Sequence, residues 1–439
     1  MQQENEPTEE QQHPSGERPS SRGRGGFFKQ LGPGLITGAA DDDPSGISTY
    51  SVTGAAFGYG QLWTALFSFP MMAAVQLMCA RLGMVSGFGL AGVIRRRYPP
   101  YVLWVCCLLL IVANIVNIAA DLKGMGEAME MMTGIGTSIW VVVLAIIIGV
   151  LMIRASYRIL VRIFKWLTLV LLAYIVTAFL SQPDWAAILK STFVPHVELT
   201  PAYLATFIGI LGTTISPYLF FWQAAQEVEE EVAQGRTTAA QRKGATDKEL
   251  QGMRRDVLIG MAFSNLIMYF IILTTGATLH AHGMSQIETA RDAALALKPL
   301  AGNLAYLLFT AGLIGTGMLG VPVLAGSAAY AIAEAKAWRG SLDAPPERAP
   351  KFYIVFAAAL LAGIGLNYLH VSAIHMLFIA AVLNGLLAPP LVAVVTLLTS
   401  NREVMGDRVS PPLLRWLGWI TTAVMGIAAL GMIVMAIVH

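Results

Sequence analysis

Two short polar stretches interrupt otherwise apolar segments, and each carries oxygen-bearing side chains beside a proline. The first reads GAADDDPSGIS and places Asp41, Asp42 and Asp43 directly before Pro44. The second reads GILGTTISPYLFFW and has Pro217 at its middle. Proline lacks the backbone donor that a helix needs, and it disfavours helical geometry in the residue before it. Both stretches therefore predict a broken helix in which backbone carbonyl oxygens lose their partners.

The oxygen atoms at the two predicted breaks favour a site for a hard cation. Asp43 supplies a carboxylate, and the first break frees a carbonyl near Ala40. The second break frees a carbonyl near Thr213 and adds the Ser216 hydroxyl. Neither stretch holds the thiolate, thioether or imidazole ligands that would favour copper, iron or zinc. The lack of a side chain at Gly46 leaves room for the waters that Mg²⁺ usually retains.

The elements that position these breaks are predicted to be membrane-spanning helices. Of the 439 residues, 56% are hydrophobic and only 13% are charged, whereas soluble domains carry about 25% charged residues. A spanning helix needs about 20 apolar residues. Eleven candidate spans follow one another, at 33–58, 62–83, 101–121, 138–154, 157–181, 201–224, 255–281, 302–334, 350–369, 371–398 and 414–437. The chain is thus predicted to be an all-α membrane protein.

The placement of basic residues predicts the orientation of these spans. With a cytoplasmic N-terminus, 25 of the 29 Lys and Arg residues fall on the cytoplasmic side, as the positive-inside rule requires. An odd number of spans then puts the C-terminus outside the cell. Residues 1–26 are polar, without apolar periodicity, and are predicted to form a disordered cytoplasmic arm. The net charge of +2 gives no reason to expect a nucleic-acid partner.

The spacing of the two breaks predicts an internal repeat. They fall in spans one and six, and matching broken helices in two five-helix halves are typical of inverted-repeat transporters of the leucine-transporter type. The predicted organisation is one repeat over 27–181, a second over 182–400 and an eleventh helix within 401–439. Because a carboxylate in a membrane costs at least about 2.5–3.5 kcal/mol, the acidic triplet predicts a functional cation site between the repeats.

These motifs resemble the Nramp family of divalent-metal transporters. GPGLITGAADDDPSG is similar to the first helix of that family, which runs from a Gly-Pro pair to a DPGN motif. GTTISPYLFF aligns with its MPH segment, and QLMCARLGMVSGFGLAGVIRRRYP, NIAADL and NREVMGDR match further segments in the same order. The resemblance covers about residues 28–437. It implies a metal site formed by Asp43, Ala40, Gly46, Thr213 and Ser216.

The chain departs from the family pattern at the metal ligands themselves. The aspartate of DPGN is kept as Asp43, but its asparagine is replaced by Gly46. The methionine of MPH is replaced by Ser216, and Asn384 is only a weak substitute for the glutamine expected in helix 10. These changes resemble the Nramp-related magnesium transporter branch, which implies Mg²⁺ and Mn²⁺ as substrates that move passively by alternating access.

Other pathway residues bear on proton coupling. The two family histidines of the sixth helix are replaced by Tyr218 and Gln223. Helix 3 keeps its aspartate as Asp121 but has Gly124 in place of the glutamate that follows, and Asp42 is a further pathway candidate. All seven histidines lie outside the two breaks. Groups that titrate near neutral pH are thus scarce, which favours transport without proton symport, although Asp121 could carry a proton.

Three transport hypotheses remain from the sequence. The first is passive Mg²⁺/Mn²⁺ transport, and the second is proton-coupled Mn²⁺/Fe²⁺ symport by an Nramp protein with unusual ligands. The third, an amino-acid or other organic-solute transporter, is disfavoured because the aspartates would repel an anionic substrate group. The sequence shows no nucleophile paired with a general base, so it does not indicate an enzyme.

The expected location is a bacterial-type plasma membrane. The expected partners are a divalent metal ion and the lipid bilayer, with no cofactor, no nucleic acid and no obligate protein partner.

Overall fold

The computed structural model describes residues 32–154, 169–368 and 371–438, and every regular element within these ranges is a helix. The fifteen longer helices run, in order, over Pro33–Asp41 (α1), Pro44–Phe57 (α2), Trp63–Ser86 (α3), Leu90–Arg97 (α4), Pro100–Thr133 (α5), Thr137–Arg154 (α6), Leu172–Leu180 (α7), Trp185–Phe193 (α8), Pro201–Thr214 (α9), Pro217–Ala233 (α10), Asp247–Thr278 (α11), Ala305–Ala335 (α12), Pro350–Leu366 (α13), Ala373–Ser400 (α14) and Pro412–Val438 (α15). The connections contain single helical turns, such as those at Ala239–Arg242 and Arg402–Met405.

The all-helical membrane architecture predicted from the sequence is confirmed. Eight described helical stretches are long and apolar enough to cross a membrane, and two shorter apolar helices cover 169–180 and 350–366. The first predicted span is divided into α1 and α2. The predicted arm, 1–26, and residues 157–168 of the fifth span lie outside the described residues. The exact count of eleven spans therefore stays a prediction.

Both proline-directed breaks are present, and they have the same construction. The first helix ends at Asp41, and α2 begins at Pro44 after an extended residue with φ −69° and ψ 172°. The second break lies between α9 and α10, which begins at Pro217 after an extended residue with φ −78° and ψ 130°. A proline at the first helical position suits a helix start because no donor is needed there. Each proline therefore starts the second half of its helix.

Close helix packing surrounds these breaks. Helix α1 lies against α11, and α9 lies against α14. At the second crossing, a Cβ added to Gly212 would lie 2.0 Å from the Ala381 carbonyl oxygen and 2.4 Å from the Gly385 nitrogen. The two backbones can approach this closely because small residues face each other. Large aliphatic side chains cover the outward faces instead, including exposed Ile139, Leu361 and Ile427.

Candidate functional site

The two broken helices meet at the hydroxyl of Tyr218. This hydroxyl lies 3.2 Å from the Ala40 carbonyl oxygen and 3.1 Å from Asp43 Oδ2. All three residues are buried. Ala40 belongs to the last turn of α1, and Tyr218 is the second residue of α10. The structure therefore brings together two sequence-predicted metal ligands from the first break and one pathway residue from the second.

The carboxylate of Asp43 is held in a fixed orientation by its role as the N-cap of α2. Its Oδ1 accepts a hydrogen bond from the Gly46 amide at 2.9 Å and another from the Ser45 hydroxyl at 2.6 Å. Side-chain acceptors at this position satisfy the free amides of a first helical turn. These two bonds leave Oδ2 directed at Tyr218, so Asp43 both starts α2 and presents one oxygen to the space between the breaks.

Gly46 lies beside Tyr50, a tyrosine that is not among the site residues predicted from the sequence. A Cβ on Gly46 would lie 3.3 Å from Tyr50 Cε2 and 3.5 Å from its hydroxyl. The Tyr50 side chain is fully buried, and its hydroxyl has no hydrogen-bond partner. The four-residue spacing places both residues on one helix face, which is the signal that could have found Tyr50. The volume left by the missing asparagine side chain is thus partly occupied.

The second break supplies its oxygens in a different way. The Ser216 hydroxyl lies within donating distance of two carbonyl oxygens of the preceding turn, those of Gly212 and Thr213, at 2.9 and 2.7 Å. The Thr213 hydroxyl lies 3.2 Å from the Gly209 carbonyl oxygen and 3.0 Å from that of Ile210. Both protons are used within α9, and the oxygen lone pairs stay available. A cation at this break would meet neutral oxygens without competing hydroxyl protons.

Asp121 lies close to Asp43 across a glycine of α12. A Cβ built on Gly320 would be 3.1 Å from Asp43 Cβ and 3.7 Å from Asp121 Oδ2. Asp121 faces the backbone amide of Ser45, but neither of its buried oxygens completes a hydrogen bond. Helix α5 thus places a second carboxylate near the first break.

Asp41 and Asp42 turn toward α11 instead of Tyr218. The hydroxyl of Ser264 lies 2.5 Å from Asp41 Oδ2 and 3.1 Å from Asp42 Oδ1. All three side chains are buried. No sequence feature indicates Ser264, which lies more than 200 residues further along the chain. Within the acidic triplet, Asp43 therefore faces Tyr218, whereas Asp41 and Asp42 face Ser264.

Gln223 belongs to a hydrogen-bonded chain between α1 and α10. The Thr37 hydroxyl donates to its Oε1 at 2.5 Å, and its Nε2 donates to Glu227 Oε1 at 2.9 Å. Because Thr37 precedes Ala40 by nearly one helical turn, this chain connects α1 to α10 about one turn before the first break.

Asn384 of α14, the weak substitute for the family glutamine, pairs with an asparagine of α5. Its side-chain amide exchanges hydrogen bonds with that of Asn117, at 2.9 and 3.2 Å. In this arrangement α5 engages both its donor and its acceptor.

The charged groups around the breaks do not form a dense ligand cluster. Among the described residues, no three His, Cys, Asp or Glu side chains converge as a metal-binding group. A cation between the breaks would be held by the Asp43 carboxylate and neutral oxygens. Such a donor set suits a hard ion that keeps part of its water shell.

The chain is similar to known metal transporters in sequence. The profile of the family described as "Natural resistance-associated macrophage protein-like" (Nramp) matches residues 34–435. The divalent metal cation transporter MntH of Yersinia pestis is 30% identical over 295 residues, covering 66% of this chain and 68% of that protein. The MntH protein of Pectobacterium carotovorum is 29% identical over 294 residues, with the same shares covered.

Solved structures share the fold at lower sequence identity. A crystal structure of a mutant Eremococcus coleocola manganese transporter has a TM-score of 0.74 and 18% identity, covering 95% of this chain and 88% of that one. The inward-facing conformation of Mhp1 has a TM-score of 0.52 and 12% identity, covering 93% and 91% of the two chains. Because the family profile spans nearly all of the described residues, the resemblance seen in the two broken-helix motifs is confirmed: this chain belongs to the Nramp family.

Proposed function

We propose that this chain carries divalent metal ions, with Mg²⁺ and Mn²⁺ as substrates, across the plasma membrane by alternating access. The observation that carries the proposal is the meeting of the Ala40 carbonyl, the Asp43 carboxylate and the Tyr218 hydroxyl between two broken helices. Membership of the Nramp family supports a divalent-metal substrate, since its relatives are named divalent metal cation transporters.

The ligand set is the reason for including Mg²⁺. We assign the ion to the Asp43 carboxylate and to neutral oxygens of Ala40, Thr213 and Ser216. Gly46 lies beside it, and Tyr50 takes up only part of the space that the missing side chain leaves. No thioether lies at position 216, where the family has methionine. Hard cations prefer such oxygens, and Mg²⁺ needs room for retained waters. Asp42, Gln223 and Asp121 line the pathway around this site in the proposal.

Transport is proposed to be passive because the groups nearest the ion cannot exchange protons readily at neutral pH. Tyr218 and Gln223 occupy the positions of the two family histidines. Gln223 carries a neutral amide that is bonded to Thr37 and Glu227. Histidine is the side chain whose unperturbed pKa lies in this range, and neither broken-helix motif contains one.

The orientation and the repeat complete the proposal. We place the N-terminus in the cytoplasm and the C-terminus outside, with two inverted repeats over 27–181 and 182–400 and an added helix within 401–439. The distribution of basic residues supports this orientation. The matched prolines of the two breaks support the repeat, since corresponding broken helices occur in inverted-repeat transporters.

Proton-coupled symport is the second candidate, and one observation favours it. Asp121 is buried beside Asp43, and neither of its oxygens completes a hydrogen bond. A carboxylate in that setting is a candidate proton carrier. The two candidates differ in whether metal entry brings protons with it.

The proton test uses liposomes that contain the purified chain and a pH-sensitive dye. We expect an inward Mn²⁺ or Mg²⁺ gradient to drive metal uptake without acidifying the lumen beyond a protein-free control, because no histidine lies between the breaks. An imposed pH gradient should also fail to drive metal uptake uphill. Acidification that depends on metal, and disappears in Asp121→Asn, would establish the symport alternative instead.

Metal selectivity is expected to change when the family ligands are restored. Gly46→Asn combined with Ser216→Met adds an amide oxygen and a soft thioether, and should favour Mn²⁺ and Cd²⁺ over Mg²⁺. If each contact is worth about 1.4 kcal/mol, selectivity changes about tenfold per contact. Because a side chain at Gly46 would press against Tyr50, the serine substitution should contribute more when each change is made alone.

Competition of Mg²⁺ against Mn²⁺ uptake measures this ratio in each variant. Ser216→Ala is the matched control, since it removes the hydroxyl without adding a thioether. An unchanged ratio in an active double variant would place selectivity outside the two breaks.

A further inference from the structure

Two carboxylates beside the first break share a single hydroxyl proton. Ser264 lies within hydrogen-bond distance of both Asp41 and Asp42, yet a serine hydroxyl can donate only one hydrogen bond. The second carboxylate therefore faces the serine oxygen without a proton between them. Two buried carboxylates this close cannot both stay ionised unless a cation compensates them; without a cation, one of them takes up a proton.

The remaining oxygen of each carboxylate is also without a partner. Asp41 Oδ1 and Asp42 Oδ2 are buried and accept no hydrogen bond. Their side chains are 0% and 1% exposed, so bulk water does not satisfy these oxygens. Buried polar atoms without partners are rare in proteins and usually indicate a missing ion, ligand or water.

A third polar group near Asp41 and Asp42 belongs to α2. The Tyr50 hydroxyl is fully buried and has no hydrogen-bond partner. Asp41 and Asp42 lie near it, and the Thr213 hydroxyl, whose proton is directed at carbonyls of α9, lies beside it. A tyrosine hydroxyl is normally satisfied when buried. Its oxygen is thus a neutral acceptor available beside the acidic pair.

We infer that Asp41, Asp42, Ser264 and Tyr50 form a second binding site for a hard divalent cation, separate from the one between the breaks. The two carboxylates match the charge of such an ion, and the two hydroxyls add neutral oxygens. The site joins the end of α1 to α11, so a bound ion would hold that end in place. It differs from the proposed transport site, where Asp43 faces Tyr218 on α10.

The number of Mn²⁺ ions bound per chain tests this inference directly. We expect the purified full-length protein to bind two Mn²⁺ ions at equilibrium. Asp43→Asn should retain one ion, and the combined variant Asp41→Asn, Asp42→Asn should also retain one. Changing all three aspartates should abolish binding. Binding of one ion by the wild type, or its complete loss in Asp43→Asn, would refute the second site.

A milder variant covers the case in which the combined asparagine variant does not fold. In the Asp43→Asn background, Ser264→Ala keeps both carboxylates and should weaken the remaining Mn²⁺ binding about tenfold, the equivalent of about 1.4 kcal/mol. Ser68→Ala is the control, because Ser68 is a buried serine that bonds Asn265 instead of the acidic pair. Equal Mn²⁺ affinity in the two serine variants would contradict the inference.

This result can be separated from the outcome of the transport assays. The second site is measured by binding in a chain whose transport site has been disabled, so it does not depend on which metals are carried. If Asp43→Asn still binds two ions, the assignment of Asp43 to the transported ion fails while the acidic pair keeps its ion.

Discussion

Replacing Asp43 with asparagine is expected to abolish saturable Mg²⁺ and Mn²⁺ uptake without unfolding the chain. The carboxylate is the single side-chain charge that we assign to the ion between the breaks. Asparagine has nearly the same shape and caps a helix about as well as aspartate. The hydrogen bond from the Gly46 amide, which holds the start of α2, can therefore persist. The substitution removes the charge and keeps the geometry.

Uptake into liposomes, compared with the amount of folded protein incorporated, measures this effect. Asp184→Asn is a matched control, because Asp184 is also an N-cap that accepts bonds from two amides but is exposed at the start of α8. The control should transport normally, and Asp43→Asn should match empty liposomes. Near-normal saturable uptake by folded Asp43→Asn would remove Asp43 from the metal site.

Gly212→Ala is expected to destabilise the protein strongly, although alanine is the better helix former. Glycine within a helix normally costs about 0.5–1 kcal/mol relative to alanine. At Gly212, however, the new Cβ would lie 2.0 Å from the Ala381 carbonyl oxygen. The obstacle is backbone, so α9 and α14 must separate. Overpacking of this kind costs about 1–3 kcal/mol or more. The neighbouring break at Thr213 would move with α9, and uptake should fall as well.

Thermal unfolding in detergent measures this loss of stability. Gly149→Ala is the control, since a Cβ there meets only Leu360 Cδ1, at 3.9 Å. This glycine lies inside α6, and its substitution should leave the protein equally stable or slightly more stable. A Gly212→Ala protein that unfolds at the wild-type temperature would show that the two helices are not packed as closely as described.

The sequence was sufficient to predict where the helices break. Pro44 and Pro217 each remove a backbone donor inside an apolar segment. Pro70 and Pro322 do the same within the continuous helices α3 and α12, so a proline predicts a break only where polar residues accompany it, as they do at Asp43 and Ser216. Asp43 was predictable for the same reason, because it precedes a proline at a helix start. The Gly46 and Tyr50 pair could also have been predicted, since residues four apart share a helix face.

Contacts between distant helices could not be predicted in this way. Asp41 and Asp42 are adjacent to Asp43 in the chain, and nothing local indicates that they turn toward Ser264. Their direction depends on how α1 crosses α11, which is set by packing between segments more than 200 residues apart. The same is true of Gln223, whose partner Thr37 belongs to another helix. Rotation and depth of packed helices follow from tertiary contacts.

The hydroxyl of Tyr218 has a consequence for the carrier when it holds no cargo. Under the passive transport that we propose, the carrier returns empty, and the ligands of an unfilled site in the membrane interior would then lack partners, at a cost of about 1–3 kcal/mol for each. Tyr218 gives the Ala40 carbonyl and the Asp43 carboxylate a shared neighbour from the opposite broken helix. When a metal ion enters, the Ala40 carbonyl and the Asp43 carboxylate exchange Tyr218 for the ion. The measured affinity is therefore the difference in free energy between the site that holds the metal and the empty site that holds Tyr218. A more stable empty site lowers the metal affinity. It also lowers the free-energy cost of returning the empty carrier to the other side of the membrane.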